Sequence, residues 1–206
     1  MARPRSDISL RVVHAARGRF LSDGVDGASL RSIAADAGTS IGMVYYYFPT
    51  KDDLFLAVVE EVYVKLLADM ERALTPKVSV EARVKRLYRR IGAMSDVELL
   101  TLQLIVREAL VSSSRLQKLV SRFRRGHLPL VLATVAEGMR DGTIRSTVHP
   151  AVALVVSLAI GVLPQVLRRV AVEQLPFSAL PAGEALSDAL VDVFFHGVGK
   201  VEPPRR

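Results

Sequence analysis

The chain contains no cysteine. That single absence excludes disulfide staples, thiolate metal sites and cysteine nucleophiles together, and it fits a reducing compartment. Histidine is scarce: His14, His127, His149 and His196 are scattered, with no ligand spacing such as His-x-x-x-His. No phosphate-cradling glycine loop is present, and no nucleophile stands with a matching base. The sequence therefore predicts neither an enzyme nor a metal or cofactor protein. Long apolar runs are also lacking. The longest, Ala151 to Leu167, has 17 residues, at the lower edge of the roughly 17 to 25 that cross a bilayer, and it includes Pro164 and Gln165. It reads as a buried helix and not a membrane span; an all-round apolar helix must be covered on several sides, which raises a subunit interface. The N-terminus shows no signal-peptide pattern, because Arg11, His14, Arg17 and Arg19 interrupt its first apolar residues. The expected location is cytoplasmic.

What is present is enough apolar residue for a real core, half of 206, and a net charge of +7. The charge is unevenly placed. By net charge, residues 1–51 carry +3, 52–78 carry −3, 79–127 carry +7, and 128–206 balance to zero. A basic balance suggests a polyanionic partner without identifying it.

Nearly every segment has helical spacing and none alternates as a strand, so the expected class is all-α. A first helix over 7–22 places Val12, Val13, Ala16 and Phe20 on one side and stops at "DGVDG". Ser29 caps a short helix to about Ala37, Gly38 turns the chain, and Thr39 or Ser40 caps another short helix ending near Phe48. Pro49 stops it, and Thr50 caps a helix to about Leu74 with Asp52 and Asp53 in its first turn. Further helices are predicted over 79–94, 97–111, 114–140, 150–172 and 182–198, with kinks at Pro129 and Pro164.

Two short helices joined by a glycine turn form a helix-turn-helix, whose second helix enters the DNA major groove. Here that second helix lies in "GTSIGMVYYYFPTK", Gly38 to Lys51. Four consecutive aromatics advance about 100° each and cannot share one buried face. Exposed tyrosines after a capped helix start suit a DNA backbone, since a phenol packs its ring on protein and donates its hydroxyl to a phosphate.

Val12 to Phe55 resembles the DNA-binding domain of the tetracycline-repressor (TetR) family of one-component transcriptional regulators. The match runs through Ala15, Ala16, Phe20, Gly24, Ser29, Arg31, Ile33, Ala34, Gly38, Ser40, Gly42, Tyr45, Phe48, Lys51 and Leu54. The resemblance implies an N-terminal helix-turn-helix DNA-binding domain, residues 1–51, and a helical ligand-binding and dimerisation domain, residues 52–206. Thr39, Ser40, Ile41, Gly42 and Met43 would lie at the groove. Tyr45, Tyr47 and Lys51 would sit on phosphates, with Ser29 and Arg31 anchoring the adjacent backbone; Tyr46 is a further DNA-binding candidate whose role the pattern does not assign. Phe48 and Val44 would be core. The chain departs from the common pattern at Ile41, where lysine is frequent, and at Tyr47, where histidine is frequent; Ile41 could touch a thymine methyl.

Further implications are a homodimer on a near-palindromic operator, a repressor's role, and release by a small, mostly apolar effector that moves the fourth helix. A DNA-binding protein without an effector, or an activator of the same fold, stays open. Polar residues on apolar faces, Gln103, His127 and Gln165, are candidates for orienting an effector. Leu154, Leu158 and Gly161, with Leu186, Leu190, Val193 and Phe194, have the pattern of a two-helix dimer face. The basic stretches "RVKRLYRR" and "SRFRRGH" read either as an attraction for anions or as solvated faces.

Overall fold

The computed structural model describes residues 7–170 and 179–198. Among them are ten α-helices and no strand. The last two positions of the helix predicted over 150–172 lie outside the described residues. The helices pack as two compact units: one takes the chain up to Leu67 together with Ser95–Arg124, the other Ala68–Met94 together with Arg125 onward. This packing division differs from a boundary at residue 51, because two later helices fold back into the first unit.

The first unit contains α1 (Asp7–Gly27), α2 (Leu30–Asp36), α3 (Ile41–Tyr47), the larger part of α4 (Lys51–Ala73), α6 (Asp96–Val111) and α7 (Ser113–Arg124). Its core follows from spacing. Val12, Val13, Ala16 and Phe20 of α1 meet Ile33 and Ala34 of α2, Val44 of α3, and Leu54, Phe55, Val58 and Val59 of α4, closed by Leu104 and Leu119. These are the repeats of three and four that put apolar residues on one helix face. Outside the core, Arg19 forks onto Asp36 at 2.6 and 3.0 Å, and Arg11 donates to the Ala37 carbonyl at 3.1 Å. Both contacts tie α1 to α2.

Helix α1 is interrupted at Gly24, whose φ of 76° lies where a side chain would be strained. In an unbroken helix the Val25 amide would donate to the Leu21 carbonyl, and a backbone group left unmet inside a protein is costly. Helix α6 satisfies both. Glu108 Oε1 accepts the Val25 amide at 3.2 Å, and Arg107 Nη1 donates to the Leu21 carbonyl at 2.9 Å.

The second unit holds α5 (Val80–Gly92), α8 (His127–Asp141), α9 (Pro150–Val170) and α10 (Gly183–His196), with the last turns of α4. Its centre is Tyr88, buried on α5, whose hydroxyl donates to the Ser157 carbonyl at 2.8 Å. A methyl group on Gly161 would overlap the Tyr88 ring, so only glycine lets α9 approach.

The span predicted as one helix over 114–140 is two. The chain breaks around Gly126, which precedes α8 with φ −127° and ψ −116°. Pro129 therefore falls in the first turn of α8, where a missing N–H costs nothing, and not in a helix interior. Pro164 does lie inside α9.

Helix α9 also departs from the expected buried helix. Pro150–Arg169 is apolar and long enough to cross a membrane, with mean hydropathy 2.1, yet only 22% of the tested window is buried. Its inward residues are Ala153, Ser157, Gly161 and Gln165, spaced by four, and they are small or polar. Val152, Val155, Val156 and Leu163 point outward, Val155 at 63% and Leu163 at 54% exposure.

Candidate DNA-binding surface

The short helices α2 and α3 are set by their caps. Ser29 accepts the Ser32 amide at 3.4 Å and Ser40 accepts the Met43 amide at 3.3 Å, each occupying a donor that the first turn leaves free. Ser40, and not Thr39, is the cap of α3. Between the helices Gly38 carries the turn with φ 60°. A reciprocal pair starts α4: Thr50 Oγ1 accepts the Asp53 amide at 3.1 Å, and Asp53 accepts the Thr50 amide at 3.1 Å.

These starts place Ser29, Arg31, Ile41, Tyr45 and Lys51 around one open groove of about 310 Å³, with Ala28 and Leu30 completing its wall. Ser29, Arg31, Ser40, Ile41 and Gly42 are exposed, while Thr39 and Met43 are half-buried. Tyr45 is 51% and Tyr46 54% exposed. Tyr47 is half-buried, with Tyr46 edge-on at 5.1 Å between ring centres and Phe48 tilted at 6.3 Å. Val44 is fully buried, and Phe48 packs against the core cluster. The aromatic run is thus divided: Phe48 inward, Tyr45 and Tyr46 outward, Tyr47 between. Lys51 donates to the Asp26 carbonyl at 2.7 Å; an ammonium has three N–H groups, so two remain for another acceptor.

Behind the groove lies a charged cluster that the sequence did not reveal. Arg115, buried on α7, donates to Asp52 at 3.0 Å, to Glu108 at 2.6 Å and to both carboxylate oxygens of Asp26, one at 3.2 Å. Lys118 adds a 3.0 Å contact to Asp52. Burial works against the Arg115 charge, but hydrogen bonds to Asp26 and Asp52 more than compensate and hold its pKa well above the ordinary arginine range. Its hydrogen bond holds the Asp26 carboxyl below the usual carboxylate range. For Asp52, burial pushes upward, and the donors Lys118 and Arg115 outweigh it, leaving a net depression. The one sequence signal for this cluster was a charge on a core face: Glu108 follows Leu104 by four residues, and Arg115 precedes Leu119 by four.

Other candidate residues are dispersed. Gln103 is half-buried on α6 of the first unit; His127 is half-buried at the start of α8 in the second. Gln165 is a satisfied core amide, its Nε2 donating to the Tyr88 carbonyl at 3.3 Å and Ser187 Oγ at 3.1 Å. None of the three lines a cavity of about 270 Å³ in the second unit, walled by Thr143, Ile144, Arg145, Val148, Val152, Ala153, Val156, Phe194 and Phe195.

Of the predicted dimer residues, Gly161 faces Tyr88 of its own chain, and Leu186 and Leu190 are buried in their own subunit. Leu154, Leu158, Val193 and Phe194 are half-buried. The basic stretches are largely paired. Arg89 meets Asp188 and Glu184 at 3.2 and 3.1 Å, Arg90 meets Asp69 at 2.6 Å, and Arg122 meets Glu60 at 2.7 Å while lying 4.4 Å above the Tyr63 ring.

With this geometry in view, comparisons with known proteins are specific at the N-terminus and broad elsewhere. Residues 12–58 match the family described as bacterial regulatory proteins, tetR family. An uncharacterized HTH-type transcriptional regulator, YhgD of Bacillus subtilis (strain 168), is 22% identical over 138 residues, 65% of this chain and 70% of that protein. The fold is similar to that of the transcriptional regulator FadR from Bacillus subtilis in complex with stearoyl-CoA. There the TM-score is 0.72 and the identity 17%, over 92% of this chain and 99% of that one. It is also similar to AibR in complex with isovaleryl coenzyme A and operator DNA, with TM-score 0.69 and 14% identity over 91% and 98% of the two chains. The helix-turn-helix with its caps at Ser29 and Ser40 falls wholly inside the segment that matches the tetR family of bacterial regulatory proteins.

Proposed function

We propose that the protein is a homodimeric repressor that binds a near-palindromic operator and is released by an acyl-coenzyme A thioester. The observation that carries the DNA-binding half is the convergence of Ser29, Arg31, Ile41, Tyr45 and Lys51 on one open groove. Hydroxyl, guanidinium and ammonium donors at that spacing suit phosphate oxygens, and the exposed Ile41 and Gly42 suit base edges. The DNA-contacting part is residues 1–51 and the effector and dimerisation part 52–206. A regulator of this kind works in the cytoplasm, where its DNA is.

Dimerisation is supported by the reversed polarity of α9. A helix that turns Ala153, Ser157 and Gly161 inward and Val152, Val155, Val156 and Leu163 outward has its apolar stripe uncovered; such a patch marks an interface. A second copy paired along α9 and α10 would cover it in a four-helix arrangement. The effector class is supported by two proteins of similar fold, one bound to stearoyl-CoA and one to isovaleryl coenzyme A. Effector entry would move α4, which carries the chain from the DNA-binding helices into the second unit, and change the separation of the two α3 helices.

The test is release of labelled operator, first selected from random DNA, by stearoyl-CoA, isovaleryl-CoA and free coenzyme A at fixed salt. Loss of operator affinity with at least one thioester and none with free coenzyme A is the expected result. Equal affinity in every case would refute the effector assignment.

A further inference from the structure

We propose that Glu108 and Arg115 are positioning residues for operator binding: together they set the gap between the α1–α2 turn and the first turn of α4. The inference rests on the reading that Ser29, Arg31, Tyr45 and Lys51 face the DNA backbone. Two segments carry those donors. Asp26 sits three residues before Ser29, and its carbonyl accepts the Lys51 ammonium at 2.7 Å; Asp52 is the neighbour of Lys51. The single guanidinium of Arg115 holds the carboxylates of both segments, and Glu108 anchors that guanidinium at 2.6 Å while gripping the Val25 amide at 3.2 Å.

Charge explains why the cluster sets a distance as well as adding contacts. Arg115 stands among three carboxylates, Asp26, Asp52 and Glu108. Lys118 touches Asp52 at 3.0 Å and Arg107 touches Glu108 at 3.3 Å, each at the margin of the cluster. Without the central cation the carboxylates repel one another across the gap that Lys51 bridges. The turn and the start of α4 then separate, and the phosphate-facing donors lose their mutual spacing. An ammonium cannot substitute, because it lacks the planar fork that spans several carboxylates at once.

The experiment compares wild type, Arg115→Lys, Glu108→Gln and Lys51→Ala on the selected operator over a range of salt. Arg115→Lys is expected to lower affinity roughly tenfold and to make the slope of log affinity against log salt shallower by about 1, the signature of one lost phosphate contact. Glu108→Gln, which keeps an acceptor for Val25, should change both in the same direction by less. A merely stabilising role would lower the melting temperature and leave the salt slope of the folded protein at its wild-type value. If Arg115→Lys does not fold, Glu108→Gln decides on the same two readouts. Wild-type affinity and slope in the folded variants, with Lys51→Ala weakened, would overturn the positioning role and leave the DNA-facing surface intact. An unaffected Lys51→Ala would instead refute that surface.

Discussion

The two units bury different kinds of side chain. Of the twelve largest fully buried side chains among the described residues, eleven belong to the first unit and only Tyr88 to the second. In the first unit Phe20, Phe55, Leu54 and Ile33 point inward. In the second, α9 presents Ala153, Ser157 and Gly161 to Tyr88 and turns its valines and Leu163 outward. The DNA-binding helices thus rest on a core of large side chains, whereas α9 packs through small and polar residues and leaves its valines and Leu163 exposed.

If this contrast is right, truncating the first core has the largest effect. Phe55→Ala should cost about 3–5 kcal/mol, as a buried aromatic lost from a closed core does, and urea unfolding would report it. An effect below about 1 kcal/mol would mean that the first core is loosely packed. Next, Val155→Glu puts a charge on the outward stripe of α9. It should raise the dimer dissociation constant about 100-fold or more, equivalent to roughly 2.7 kcal/mol, with helical content unchanged. Sedimentation at micromolar concentration measures this, and an undisturbed dimer would place the interface elsewhere. Gly161→Ala tests the inner side of the same helix: overlap with the Tyr88 ring should cost about 1–3 kcal/mol, read as a lowered melting temperature.

The smallest effects come from pH, and they separate the units. Asp26 and Asp52 have folded pKa values below the usual 3.8. Their contribution is present above that pH and is lost as pH falls through the lowered folded values. In the second unit, burial pushes Tyr88 up to about 12, with its hydrogen bond to Ser157 acting the other way. Its contribution is complete below the ordinary value of 10 and is lost as pH rises towards 12. Hydrogen exchange should therefore show Val25 and its neighbours opening first in acid, and the Tyr88 helix first in alkali. Asp26→Asn with Asp52→Asn should flatten the acid response alone.

The sequence made the local parts of this structure readable and concealed the distant ones. The caps at Ser29, Ser40 and Thr50 were legible because each bonds within three residues of itself. The division of 114–140 is not legible from Pro129, which is harmless in the first turn of α8; the break lies at Gly126, before it. The orientation of α9 was hidden since apolar residues fill most of its circumference, and only Tyr88 decides which side faces inward. Arg115 was unreadable as a hub because Asp26 and Asp52 lie 89 and 63 residues away. Gly161, expected on a dimer face, meets Tyr88 of α5 in the same chain, a contact that sequence spacing does not display.

The central claim, that two copies of the Ser29–Lys51 face act together on DNA, is tested most directly by selecting bound fragments from random DNA with the purified full chain. The expected result is one enriched, near-palindromic sequence, with symmetric half-sites protected together by two protein copies. Enrichment of no sequence above the random pool, or of a single half-site bound by one copy, would contradict it.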